Sequence, residues 1–274
     1  FGPEQVVHVE CAYEPMPWGA IGTHAEIDFA NDVTALKDAY VEYTGLAKGL
    51  SLRAGNFKTP NGLEEMTSGN YLTFLERAAS TEAWGLDRQI GGGAIYTQDH
   101  FTLSAGIFGP LPVNDELFLE DVKTVAARAT VAPINNETTT LHFGGSWRDR
   151  EGAEDLRSNP IPANDQLFRY RTRGADLHLA DRFISTPQIF NQDTFWGAEA
   201  LFIWNGFSLQ GEYTELSPDI GDAFVGSDPN YTGWYVEANL FLTGERQNYS
   251  KGVIGRSKVK NPVYQGGYGA WQLA

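Results

Sequence analysis

The stretch QLFRYRTRGADLHL carries Arg169, Arg171 and Arg173 at every second position. On a β-strand that period puts three guanidinium groups on one face and Phe168, Tyr170 and Thr172 on the other. Neighbouring groups then stand about 6.5–7 Å apart. A guanidinium stays charged and offers a planar fork of donors to phosphate or carboxylate oxygens. Such a row can hand an anion from group to group, hold phosphates at a membrane surface, or be a solvated charged face. Single cations, Arg53, Arg128 and Arg148, fall on the polar side of other alternating runs. The adjacent carboxylates Glu64 and Glu65 could serve acid–base chemistry. No Gly-rich phosphate loop, zinc-ligand spacing or nucleophile elbow accompanies them. The five histidines are scattered singly. The sequence therefore predicts no enzyme, no cofactor and no metal site.

These side chains need strands to position them, and about thirteen segments alternate with a period of two. TVAARATV sets Val125, Ala127, Ala129 and Val131 against Thr124, Arg128 and Thr130. WGAEALFIW sets Trp196, Ala198, Ala200, Phe202 and Trp204 against Glu199, and FSLQGEY sets Phe207, Leu209 and Tyr213 against Ser208, Gln210 and Glu212. The same rule puts Leu52, Phe143 and Val236 on apolar faces and Arg53, Arg148 and Glu237 on polar ones. The polar faces mix Glu, Asp, Arg, Ser, Thr and Gly but almost no Lys, which suits a water-filled lumen better than the solvent face of a soluble sandwich. Tyr43, Trp147, Trp196, Trp204, Tyr213 and Trp234 gather toward strand ends, as interfacial girdles do. Short links alternate with long acidic ones such as PLPVNDELFLED and SPDIGDAFVGSDPN, which are expected outside the membrane. No run of 18 apolar residues occurs, but a barrel strand needs only about 9–11 alternating residues. With 35 acidic residues against 20 basic ones and a net charge of −15, nucleic-acid binding is excluded, because phosphate neutralisation needs a basic surface. Cys11 is the single cysteine, so no internal disulfide forms. The reading is an all-β antiparallel transmembrane barrel.

The run LKDAYVEYTGLAKGLSLRAGNFKTPNGLEEMTSGNYLTFLERA, residues 36–78, resembles the phosphate-selective porin O and P family of Gram-negative outer membranes. FSLQGEYTE, GWYVEANLFLTGE and GGYGAWQLA are similar to its later motifs. The resemblance implies a sixteen-stranded barrel, a homotrimer set in outer-membrane lipid and lipopolysaccharide, that passes small anions such as phosphate by diffusion. It implies one barrel domain over residues 1–274, incomplete, with the first and last strands outside this chain. Residues 59–88 become a constriction loop folded into the lumen, with Lys58, Glu64, Glu65, Glu76 and Arg77; within it YLTFLERA has helical spacing. RYRTR is similar to the family's inward arginine ladder, with Arg53, Arg128, Arg148, Lys258 and Lys260 as further pore-lining cations. Leu177 and Leu179 share the arginine face if that strand runs straight. An inward ladder therefore requires a bulge near Gly174; otherwise the arginines face lipopolysaccharide. The dense basic clusters of strict phosphate selectors are only partly present, so weak anion preference or a general porin also fits. A barrel that anchors a surface layer or a protein partner is the alternative.

Overall fold

The computed structural model describes residues 6–16, 19–28, 35–109, 123–152, 167–173, 182–221 and 224–274. Eight strands follow one another as an antiparallel meander: β1 (Val6–Met16), β2 (Gly19–Asp28), β3 (Ala35–Thr44), β4 (Leu50–Lys58), β5 (Arg88–Thr97), β6 (Phe101–Gly109), β7 (Lys123–Asn135) and β8 (Thr139–Glu151). A two-stranded hairpin, β9 (Arg171–Arg173) and β10 (Arg182–Ser185), stands apart from them. The sheet resumes with β11 (Phe190–Trp204), β12 (Phe207–Ile220) and β13 (Tyr231–Phe241). A second separate hairpin, β14 (Asn248–Ser250) and β15 (Val253–Gly255), precedes β16 (Gln272–Leu273), which pairs with the end of β13. The main sheet thus has twelve strands, with β8 beside β11, and is not closed among the described residues. No helix there is long and apolar enough to cross a membrane.

Local chemistry sets the pairing. Trp204 pairs with Phe207 across Asn205 and Gly206. Asn205 has φ +50°, which suits the tight two-residue turn that Asn-Gly favours between strands. In β7 the register slips between Val131 and Ile134. Pro133 falls in the slip, where a residue with no N–H loses no ladder bond.

The faces of the sheet are inverted relative to a soluble protein. The buried side carries Thr124, Arg128, Thr130, His142, Ser146, Arg148, Glu199, Ser208, Gln210 and Glu212. The exposed side carries Leu52, Leu103, Ile107, Val131, Phe143, Leu209 and Val236; Val125 and Phe202 lie on it half-buried. An apolar face left outward over many strands is stable against hydrocarbon, not water. On that face Trp147 pairs with Trp196, and Tyr213 with Trp234, a row of aromatics across four strands.

Besides the β9–β10 hairpin, two elements fill the buried side. Residues 59–87 link β4 to β5 and contain two short helices, α1 (Leu63–Met66) and α2 (Ala79–Trp84). The helical spacing of YLTFLERA does not become a helix: the chain there makes one 3₁₀ turn, Gly69–Tyr71, and then bends, leaving Leu75 88% exposed. No apolar surface receives that stripe, and propensity without burial does not hold so short a helix. The other element is the β14–β15 hairpin. Leu63 of α1 and Ile254 of β15 pack together on Leu201 and Ile203 of β11, with Tyr71 and Tyr249 beside them.

Candidate functional site

The candidate site is the polar side of the sheet and the space between it and the two elements that fill it. A cavity of about 890 Å³ is lined by Glu42, Ser51, Arg53, Thr102, Ser104 and Arg128 from the strands, by Met66 next to α1, and by Lys251 and Val253 of the β14–β15 hairpin. The turn of that hairpin is Lys251–Gly252, with φ of +52° and +81°. Two positive φ values in a two-residue turn match the twist of the flanking strands, and glycine takes the second without strain. Lys251 is exposed at the tip and has no hydrogen bond or ion pair among the described residues.

The arginines facing the same side are committed to partners. Arg53 NH2 donates to Glu42 at 2.5 Å and its guanidinium lies 4.0 Å from the Tyr40 ring centroid. Arg128 donates to both oxygens of Glu199, at 3.2 and 2.5 Å, and to the Gly252 carbonyl at 2.7 Å. His142 joins them, with Nε2 2.9 Å from Glu199 and Nδ1 2.7 Å from the Tyr249 hydroxyl. Arg148, 2% exposed, donates to Asp193 Oδ1 at 3.1 and 3.0 Å and to the Trp84 carbonyl at 2.7 Å. Arg150 takes the other Asp193 oxygen at 2.7 Å, and Tyr170 donates to that oxygen at 2.8 Å. A buried cation without such partners would cost on the order of several kcal/mol by desolvation, so these pairs are what allows the arginines to sit where they do.

The loop between β4 and β5 is held from several directions. Lys58 donates to the Glu65 and Thr67 carbonyls at 2.6 and 3.0 Å. Arg77 donates to the Glu64 and Thr67 carbonyls at 3.2 and 2.9 Å and lies 3.8 Å from the Glu65 carboxylate. Both groups thereby meet the free carbonyls that end α1. Glu64 accepts from the Ala78 amide at 3.1 and 3.0 Å. Burial pushes the Glu64 carboxyl up to about 7, and burial likewise raises Glu65. Glu76 is half-buried in the same loop.

The arginine row stands on the β9–β10 hairpin and not on a strand of the main sheet. Arg169 and Arg171 are exposed, Arg173 is half-buried, and Tyr170 and Thr172 are buried. Tyr170 packs with Trp84, Phe190, Phe195 and Leu216. Glu82 of α2 gathers the hairpin: it accepts from Thr172 Oγ1 at 2.6 Å, from the Arg173 amide at 2.8 Å and guanidinium at 3.1 Å, and from Arg182 at 2.7 Å. Burial alone would raise the Glu82 carboxyl; the bonds from Thr172 and Arg173 and the charges of Arg182 and Arg173 outweigh it and hold the group below the ordinary range. Arg169 and Arg171 have no ion pair among the described residues. Leu177, Leu179 and Gly174 lie outside those residues, as does the link NDELFLED. Lys258 and Lys260 are exposed on the segment after β15, where the Lys260 amide donates to Glu245 at 3.1 Å.

The β2–β3 register brings together three groups that sequence spacing leaves apart. His24, Glu26 and Asp38 place one ligand atom each within 4.8 Å of one another. One imidazole and two carboxylates could hold a divalent cation, but Arg88 already donates to both Asp38 oxygens at 3.0 and 3.1 Å and lies 3.8 Å from Glu26. Sequence reasoning also missed the β14–β15 hairpin. The signal was the unbroken run Leu201–Trp204: where alternation stops, both faces of a strand are covered, and the hairpin is the cover.

The family model described as phosphate-selective porin O and P matches residues 21–274. An uncharacterised protein of Caulobacter vibrioides is 28% identical over 272 residues, covering 92% of this chain and 50% of that protein. Porin O of Pseudomonas aeruginosa is 27% identical over 249 residues, covering 86% of this chain and 56% of that protein. The chain spans about half the length of these curated relatives. Among solved structures, a loop L8 deletion mutant of OmpT, an outer membrane protein of Vibrio cholerae, is similar with a TM-score of 0.41 at 10% identity, over 88% of this chain and 82% of that one.

Proposed function

We propose the following for a chain that belongs to the phosphate-selective porin O and P family: it forms part of the wall of a pore in the Gram-negative outer membrane, through which small anions such as phosphate diffuse passively. The observation that carries the reading is the charge inventory of the polar side. Arg53, Arg88, Arg128 and Arg148 are each matched to a carboxylate, so they shape the passage without giving it much net charge. Among the described residues, Lys251 enters the cavity unmatched, and Arg169 and Arg171 are unmatched on the β9–β10 hairpin.

Unmatched cations against low-dielectric walls raise the local concentration of anions. Two or three of them give a weak preference, not tight phosphate selection. The effect fades as salt shortens the Debye length, which is about 8 Å at 0.15 M. The inner arginines, with the loop cations Lys58 and Arg77, belong to the framework. Lys251, Arg169 and Arg171 carry the selectivity, and Arg173 anchors the row. Lys258 and Lys260 contribute only to the outer field. A homotrimer in contact with lipopolysaccharide belongs to the same reading.

Reversal potentials in planar bilayers across a salt gradient test it. Lys251→Glu and the triple change R169A/R171A/R173A should each shift the reversal potential toward cations, more at low salt than at high. Unchanged selectivity in both, with loss of lipopolysaccharide binding in the triple variant, would assign the row to the membrane surface instead.

A further inference from the structure

Glu212 lies within β12, paired with Glu199 on β11 and Tyr235 on β13. It is buried, and no lysine or arginine of the described residues pairs with it. A carboxylate in that position is expensive unless its lone pairs are met by donors. They are met by the loop. Glu212 Oε2 accepts from the Leu63 amide at 3.1 Å and Oε1 from the Glu64 amide at 2.7 Å; the Tyr235 hydroxyl adds a bond at 2.7 Å. The two amides open α1 and are among the donors a helix start leaves free. Gly62, at the cap position, supplies no side chain for them. The cap therefore comes from the wall, about 150 residues further along the chain.

Position 62 is fitted to this arrangement. A Cβ there would lie 1.9 Å from Glu212 Oε2, so any other residue pushes the carboxylate off the amides. Below the clip, Leu63 seats on Leu201, Ile203 and Ile254, and the Ile254 amide donates to Thr67 Oγ1 at 3.4 Å. The loop and the β14–β15 hairpin thus share one seat on β11, and Glu212 fixes the end of the loop nearest that seat.

We propose that Glu212 is the positioning residue of the passage: its carboxylate clips the first turn of α1 to β12, with Gly62 leaving the room, and so sets how far the loop narrows the pore. The passage-width half of this rests on the porin reading above; the clip itself does not. The test uses the full-length protein with Cys11→Ala and a spin label at Leu75→Cys, an exposed loop position, together with single-channel recording. Glu212→Ala should mobilise the label and raise unit conductance. Gly62→Ala should do the same from the opposite side of the contact. Glu212→Gln should fall between, since its amide keeps one acceptor oxygen and turns an N–H₂ toward the second amide. Heat resistance of the barrel on gels reports folding and should not change. An immobile label in both Glu212→Ala and Gly62→Ala overturns the clip. A mobile label with unaltered conductance overturns the claim about passage width. A wild-type protein that forms no channel would overturn the porin reading while the label still decides the clip.

Discussion

Each buried arginine on the polar side of the sheet meets a carboxylate on another strand: Arg128 meets Glu199, and Arg148 meets Asp193. Alternation alone puts Arg128, Arg148, Glu199 and Glu212 on the side that the structure buries. It cannot say that Arg128 meets Glu199, because those positions are 71 residues apart and two strands apart. Nor can it say that Glu64, which reads as half of a catalytic-looking pair, accepts a backbone amide of its own loop. The consequence for Glu64 is a pH dependence. Burial raises its carboxyl to about 7, against the bonds from Thr81 and the Ala78 amide; Glu237 nearby raises it further and Arg77 lowers it. A raised carboxyl favours the packed loop while it is protonated. The contribution is complete below the ordinary carboxylate range and is lost as pH rises through about 7. Unit conductance should therefore be lower and quieter near pH 5 than near pH 8, and Glu64→Gln should flatten the difference. An equal pH dependence in that variant would place the titration elsewhere.

Among the elements, the sheet strands were readable and the two hairpins beside the sheet were not. RYRTR reads as a strand, and its last three residues form one, but what a short strand pairs with depends on neighbours distant in sequence. Its arginines sit opposite Tyr170 and Thr172, whose burial against α2 and β11 decides which way the row points. Glu82 makes the dock: four of its bonds go to β9 and β10. Replacing it leaves the Arg173 amide without its acceptor, at about 1–3 kcal/mol for a buried group left unsatisfied, while the Thr172 hydroxyl keeps the Arg173 carbonyl at 3.1 Å. Glu82→Ala should thus loosen the hairpin and expose the Arg171 and Arg173 peptide bonds. Limited trypsin digestion should cut there sooner than in the wild type, while the barrel keeps its heat resistance. Cleavage at the wild-type rate would show that Tyr170 packing alone holds the hairpin.

For the molecule as a whole, the bilayer sets the scale. Trp196 and Trp204 point outward eight residues apart on β11, about 26 Å along the strand. A strand tilt of about 40° reduces that to about 20 Å along the membrane normal, close to the apolar band of about 25 Å in outer-membrane barrels. The outward face was legible in the sequence because hydrocarbon tolerates no polar residue there, whereas the inward face has to accommodate a loop and a hairpin as well as water. Position along β11 then places single residues by depth. Ala200 lies midway between the two tryptophans, and Ala198 lies two residues from Trp196 at one edge. Both alanines are exposed on that face. An arginine at the midplane of the lipid face costs about 2–4 kcal/mol and near the interface about 0–1. Ala200→Arg should accordingly lower the unfolding free energy in lipid vesicles by the larger amount, and Ala198→Arg by the smaller. Equal costs would mean that the two positions sit at the same depth, and the tryptophan rows would then not mark the two edges of the membrane.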